Sequence, residues 1–191
     1  MKKISEKIFG GRRGQSLIEA IVAITILTLG FVGMFSLLAQ SLHLGSDVVD
    51  QTKATYLAAE GIEITKNFID HSVYLGIASP GYAYGGWNGG TACFSFVSGS
   101  QHYEMDYSSV NCNALVPSAN PLNTPLMYNA SSGLYGYNVG GVATPFMRDI
   151  MITRKPYEID VKSTVSWSSG GTAGESISLE DHFYDWNPSS N

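Results

Sequence analysis

From Gln15 to Ser46 the chain carries one charged side chain, Glu19, and apolar residues cover every side of a helical wheel. Leu17, Ile18, Ile21, Val22, Ile24, Leu27, Phe31, Val32, Phe35 and Leu38 all lie in this run. A helix apolar all round is buried in protein or in lipid, and about 20 apolar residues suffice to cross a bilayer. From Asp47 to about Asp70 the pattern stays helical but becomes one-sided. Ala54, Leu57, Gly61, Ile64 and Phe68 recur at steps of three and four, and Ala58, Ile62 and Ile69 widen the stripe. Lys53, Glu60, Glu63 and Lys66 lie off it. The first proline is Pro80, so residues 15–70 are expected to form one helix, roughly 84 Å long at about 1.5 Å per residue.

After a glycine-rich loop at residues 79–90, the period changes to two. Thr91–Val97 and Gln101–Ser108 are expected strands around Ser98-Gly99-Ser100, and Leu126–Asn129 and Tyr135–Val139 form a hairpin around Ser131-Ser132-Gly133. Arg148–Thr153, Tyr157–Trp167 and Ser176–Tyr184 are the clearest strands. In the second of these, Tyr157, Ile159, Val161, Ser163, Val165 and Trp167 share one face, with Glu158, Asp160 and Lys162 on the other. Consecutive strands with short links favour an antiparallel sheet whose apolar side covers the one-sided half of the helix. The expected fold class is therefore α+β. Its expected parts are a leader at 1–14, an apolar helix at 15–46, an amphipathic helix at 47–70 and a mostly-β domain at 71–191.

Charge sharpens this division. The formal net charge is −5, but residues 1–14 hold five basic side chains (Lys2, Lys3, Lys7, Arg12, Arg13) against Glu6. The remainder has six basic and fifteen acidic residues, net −9. An acidic body without a basic stripe is a poor match for a phosphate backbone, so no nucleic-acid partner is expected. The basic leader predicts an N-terminus on the cytoplasmic side and the domain outside. An ordinary secretory signal has an apolar core of about 7–15 residues, shorter than this one, and no carboxylate at its entry.

Candidate chemistry is sparse. Cys93 and Cys112 permit one disulfide in an exported domain, with about 3 kcal/mol of stabilisation in the chain-entropy model; the alternative is two buried thiols. His43, His71, His102 and His182 show no metal-ligand spacing, and no nucleophile elbow, P-loop or dinucleotide fingerprint occurs. Asp181, His182 and Asp185 read as solvated polar positions in a terminal strand. Tyr82, Tyr84 and Trp87 read as loop aromatics packed on the domain, with an adhesive loop as the alternative. No catalytic residue, metal or cofactor is expected.

One junction carries more information. Gly14-Gln15-Ser16-Leu17-Ile18-Glu19, behind a short basic leader and ahead of a long apolar helix, resembles the processing site of type IV prepilins. Tyr56–Asp70, Val165-Ser166-Trp167 and Tyr184-Asp185-Trp186 are more loosely similar to the minor-pilin branch. The resemblance implies a pilin-like fold and cleavage after Gly14 by a prepilin peptidase. It also implies methylation of the new amino group of Gln15, and a Glu19 carboxylate that meets the N-terminal amine of a neighbouring subunit and sets register. Implied partners are other pilin subunits and the assembly platform of the cytoplasmic membrane. The implied destination is an extracellular filament. A pseudopilin of a secretion or DNA-uptake machine shares these marks, and a signal-anchored binding module that never polymerises is the alternative from another class.

Glu19 has a physical reading of its own. A charge at the bilayer centre costs about 2.5–3.5 kcal/mol on insertion scales, and a helix N-terminus favours an anion. Gly30 and Gly33 have two readings: close helix approach, as small residues allow in membranes, or local unwinding of the helix in a filament.

Overall fold

The structure, a computed structural model, describes residues 15–78, 99–109, 115–137, 140–155, 157–168 and 174–185. One helix, α1, runs without interruption over Gln15–Ala78. No proline breaks its hydrogen-bond ladder, and it continues beyond the Asp70 expected from the apolar stripe. The chain divides into two compact units, Met1–Ser46 and Asp47–Asn191.

In the second unit the buried positions of α1 are Ala54, Leu57, Ala58, Gly61, Thr65, Phe68, Ile69 and Ser72. They follow the three-and-four spacing of an amphipathic helix. Two of them are hydroxyl residues outside the expected stripe. Thr65 Oγ1 donates to the Gly61 carbonyl at 2.9 Å and Ser72 Oγ to the Phe68 carbonyl at 2.9 Å. These bonds back to the preceding turn satisfy the hydroxyls, so each is buried without a lost hydrogen bond.

Seven strands form one antiparallel sheet: β1 (Gly99–Glu104), β2 (Val116–Pro117), β3 (Pro125–Asn129), β4 (Leu134–Gly136), β5 (Val142–Arg154), β6 (Glu158–Trp167) and β7 (Glu175–Tyr184). β5 is the organising strand. One edge pairs with β3 through residues 142–147 and with β1 through residues 150–154, while the other edge pairs with β6. β2 extends the sheet beyond β1, β4 beyond β3, and β7 beyond β6. The result is an α+β arrangement of a long N-terminal helix on an antiparallel sheet, consistent with a pilin-like fold.

Strand β6 alternates as its sequence predicts: Ile159, Val161, Ser163, Val165 and Trp167 are buried and the residues between them are not. Phe68 and Ile69 pack with Tyr103, Met105, Ile150, Ile152, Ile159 and Val161. Nearer the start of the unit, Ala54, Leu57 and Ala58 pack with Leu126, Phe146, Val165 and Trp167. The core is therefore the stripe of α1 against one face of the sheet. Burying such side chains contributes about 1.5–3 kcal/mol for each large aliphatic or aromatic residue.

Several local expectations change. Gly99 and Ser100, expected in a turn, open β1, where Ser100 and Thr153 hydroxyls meet across the strands at 2.7 Å. β5 starts at Val142, ahead of the expected Arg148, because its first half has β3 as a partner. Tyr157 precedes β6 and stays exposed. The 131–133 hairpin is present: Asn129 Oδ1 accepts from the Ser131 amide at 2.9 Å and Gly133 has φ 73°. That left-handed conformation suits glycine. The expected strand at Thr91–Val97 lies outside the described residues.

Candidate functional site

The most extensive unsatisfied feature of the described chain is the surface of α1 from residue 16 to residue 46. Every side chain there is exposed. Its large apolar residues, from Leu17 to Leu44, range from 49% exposed at Phe31 to 70% at Leu42. The segment is long and apolar enough to cross a membrane. Both of its threonine hydroxyls are turned back on the helix: Thr25 Oγ1 donates to the Ile21 carbonyl at 2.6 Å and Thr28 Oγ1 to the Thr25 carbonyl at 2.9 Å. A spanning helix must satisfy its polar groups internally in this way, since lipid offers no hydrogen bonds.

Gln15 is the first residue of α1, and Glu19 follows one turn later with its side chain exposed. Among the described residues, no ion pair is made to Glu19. Gly30 and Gly33 lie in the middle of the apolar run, and a Cβ added at either would meet nothing within 4 Å. Both are unconstrained by this chain's own packing. Gly14, the Cys93/Cys112 pair and the aromatic loop of Tyr82, Tyr84 and Trp87 lie outside the described residues.

Among the described residues of the domain, four clusters of charged side chains bear on the fold or the surface chemistry. Arg148, on β5, is fully buried against the helix. Its Nη1 donates to the Leu57 carbonyl at 3.0 Å and lies 3.4 Å from Glu60 Oε2, and its Nη2 donates to the Met105 carbonyl at 2.7 Å. Gly61 makes room for this arrangement. A Cβ there would collide with Ser163 Oγ and press on Arg148 Cδ at 3.2 Å. The Tyr137 hydroxyl donates to the Arg148 carbonyl at 2.7 Å, and burial pushes its pKa up to about 12.

Asp106 closes the turn after β1. Its Oδ1 accepts from the Ser108 amide at 2.9 Å and the Ser108 hydroxyl at 2.6 Å, and Oδ2 accepts from the Tyr137 amide at 2.9 Å. Burial alone would raise its pKa. The Ser108 and Tyr137 bonds, with the Arg148 charge nearby, outweigh burial and hold the carboxyl below its ordinary value. A depressed carboxylate stabilises the fold above the unfolded value, about 3.9, and that contribution disappears as pH falls through the folded value. Asp106→Asn is therefore expected to melt at a lower temperature at pH 6 but to approach the parent at the acid end. Thermal melts from pH 6 to pH 2.5 measure this, and parallel curves would remove Asp106 as the source.

On the opposite face of β5 from Arg148, His102 Nδ1 meets Asp149 Oδ2 at 2.7 Å. Burial raises the Asp149 pKa against the opposing effect of His102. The fourth cluster joins β6 to β7. Asp160 and His182 are paired in register, and Glu158 is two residues from Asp160 on the same face. His182 Nδ1 lies 2.9 Å from Glu158 Oε1 and 2.9 Å from Asp160 Oδ1. Lys155 Nζ holds Glu158 Oε2 at 2.9 Å and Asp160 Oδ2 at 2.7 Å.

Comparison with known proteins returns no matching family model, no matching curated protein and no matching solved structure. The functional reading therefore rests on the chain itself. Sequence spacing missed both histidine clusters. Their partners come from separate strands, 47 residues apart for His102–Asp149 and 22 for His182–Asp160. The one local sign was the acid-x-acid pair Glu158-Ile159-Asp160 on the polar side of a strand.

Proposed function

We propose that this protein is a structural, non-enzymatic subunit of a type IV pilus or related filament, of the minor-pilin kind, made as a prepilin and cleaved after Gly14. The supporting observation is the sequence Gly14–Glu19 at the head of an unbroken helix whose large apolar side chains from Leu17 to Leu44 are all exposed. Before assembly that surface is covered by the lipid of the cytoplasmic membrane, with the basic leader inside. In a filament it is covered by the same segment of neighbouring subunits.

Glu19 then acts in two settings. In the membrane it sits close to the new N-terminus, where the helix dipole and the amine favour a carboxylate. In the filament the amine of an adjacent subunit neutralises it, and mismatched registers leave the charge unpaired at a cost of several kcal/mol. Prepilin peptidase and the assembly platform are the partners this reading requires.

N-terminal mass spectrometry of protein from membrane and sheared-surface fractions tests it. A chain beginning at Gln15, one methyl heavier, is expected. An intact Met1 leader in cells with active prepilin peptidase would overturn processing and leave a membrane-anchored domain instead.

A further inference from the structure

We propose that the polar face of the β6–β7 ladder binds a divalent first-row metal ion, of which zinc is the type, through His182 Nδ1, Glu158 Oε1 and Asp160 Oδ1. Each of the three residues offers a ligand atom, and these lie within 4.8 Å of one another. Two come from alternate residues of β6, and the third stands directly across the ladder on β7, paired with Asp160. The donor set is thus held by backbone register across two strands of the sheet, with Ile159 and Val161 buried on the reverse face.

The spacing fits coordination. Donors about 2.0–2.2 Å from zinc lie roughly 3 Å apart when they meet at right angles, and about 3.4 Å apart in a tetrahedron. Both imidazole–carboxylate separations are 2.9 Å, close to the right-angle value. One imidazole with two carboxylates suits zinc or manganese rather than a soft, thiolate-seeking ion.

The surroundings prepare the donors. Lys155 binds the far oxygens of both carboxylates and leaves Oε1 and Oδ1 turned toward the imidazole. His182 Nε2 faces Glu180 Oε1 at 3.7 Å, on the side where a metal-bound imidazole keeps its proton. Glu158 and Asp160 are half-buried and His182 is exposed, so an ion can enter from solvent. Without metal, Nδ1 is hydrogen-bonded to the same two oxygens. The charged residues on this face are Glu158, Asp160 and Lys162 of β6, Lys155 of the preceding turn and Glu180 of β7, with the Tyr184 phenol beside Glu158.

The test is calorimetric titration of the detergent-solubilised full chain with Zn²⁺ at pH 7.5, after EDTA treatment and dialysis. One ion per chain is expected at this site, with a higher melting temperature that EDTA reverses. His182→Ala and the pair Glu158→Gln/Asp160→Asn should each weaken binding at least ~10-fold. His102→Ala, on the other histidine cluster, should bind as the parent does. Because the altered residues are polar and solvent-facing, circular dichroism of each variant should match the parent. Parent-like zinc affinity in His182→Ala, or no response of the parent to Zn²⁺ or Mn²⁺, would overturn the site.

Discussion

Arg148→Ala is expected to destabilise the folded domain by about 3–5 kcal/mol, the usual cost of removing one partner of a buried ionic network. That is a large share of the ~5–15 kcal/mol available to a typical domain. The guanidinium ties the Leu57 carbonyl of the helix to the Met105 carbonyl after β1, and offers charge to Glu60. Truncation leaves the Met105 carbonyl without its donor, opens a cavity under Gly61, and removes the positive charge that helps hold Asp106 ionised. Glu60 is one-third exposed and regains water, which keeps the loss near the lower end of the range. Arg148→Met fills most of the volume and should lose less, about 1–3 kcal/mol for the unmet carbonyl. Urea unfolding followed by tryptophan fluorescence reads both, since Trp167 lies in the adjoining core. A loss below about 1 kcal/mol for the alanine variant would show that the pin is redundant.

The second large effect is on assembly. On the proposed reading, Glu19→Ala is cleaved normally but enters filaments poorly, because the new N-terminal amine then faces no carboxylate in the apolar bundle. An uncompensated charge there costs at least about 2.5–3.5 kcal/mol per subunit even on lenient scales, roughly a hundredfold in a single contact. The cost recurs at every subunit added. Gly14→Ala separates the two steps: it should keep the leader and hold the chain in the membrane. Immunoblots of sheared-surface and membrane fractions distinguish these results. Wild-type incorporation of Glu19→Ala would remove the register role while leaving processing intact, and normal processing of Gly14→Ala would count against a prepilin.

A metal at the proposed β6–β7 site would act on the stability of the domain. A metal that locks Glu158, Asp160 and His182 would stiffen the outermost ladder of the sheet without touching the core. Its loss is expected to leave the Arg148 network unchanged, since the two clusters lie on opposite faces. The two sets of variants should therefore add in their effects on stability.

Local periodicity made much of this protein legible from its residues. The unbroken apolar run, the stripe from Ala54 to Ile69, the alternation of β6 and the 131–133 turn are each written within a few consecutive residues, and a side chain's face follows from spacing alone. What the tertiary structure decided depends on pairing between distant segments. Arg148 is, in the sequence, only the first residue of an expected strand; β5 laid against the helix buries it, and two carbonyls and Glu60 make that burial tolerable. Thr65 and Ser72 join the core only because their own helix accepts their hydroxyl protons. β5 begins early because β3 returns to its free edge. His182 meets Asp160 and Glu158 through the register of two strands, and a slip of one residue would turn it to the other face. Register is a property of the packed sheet, summed over many contacts, and no short window of sequence contains it.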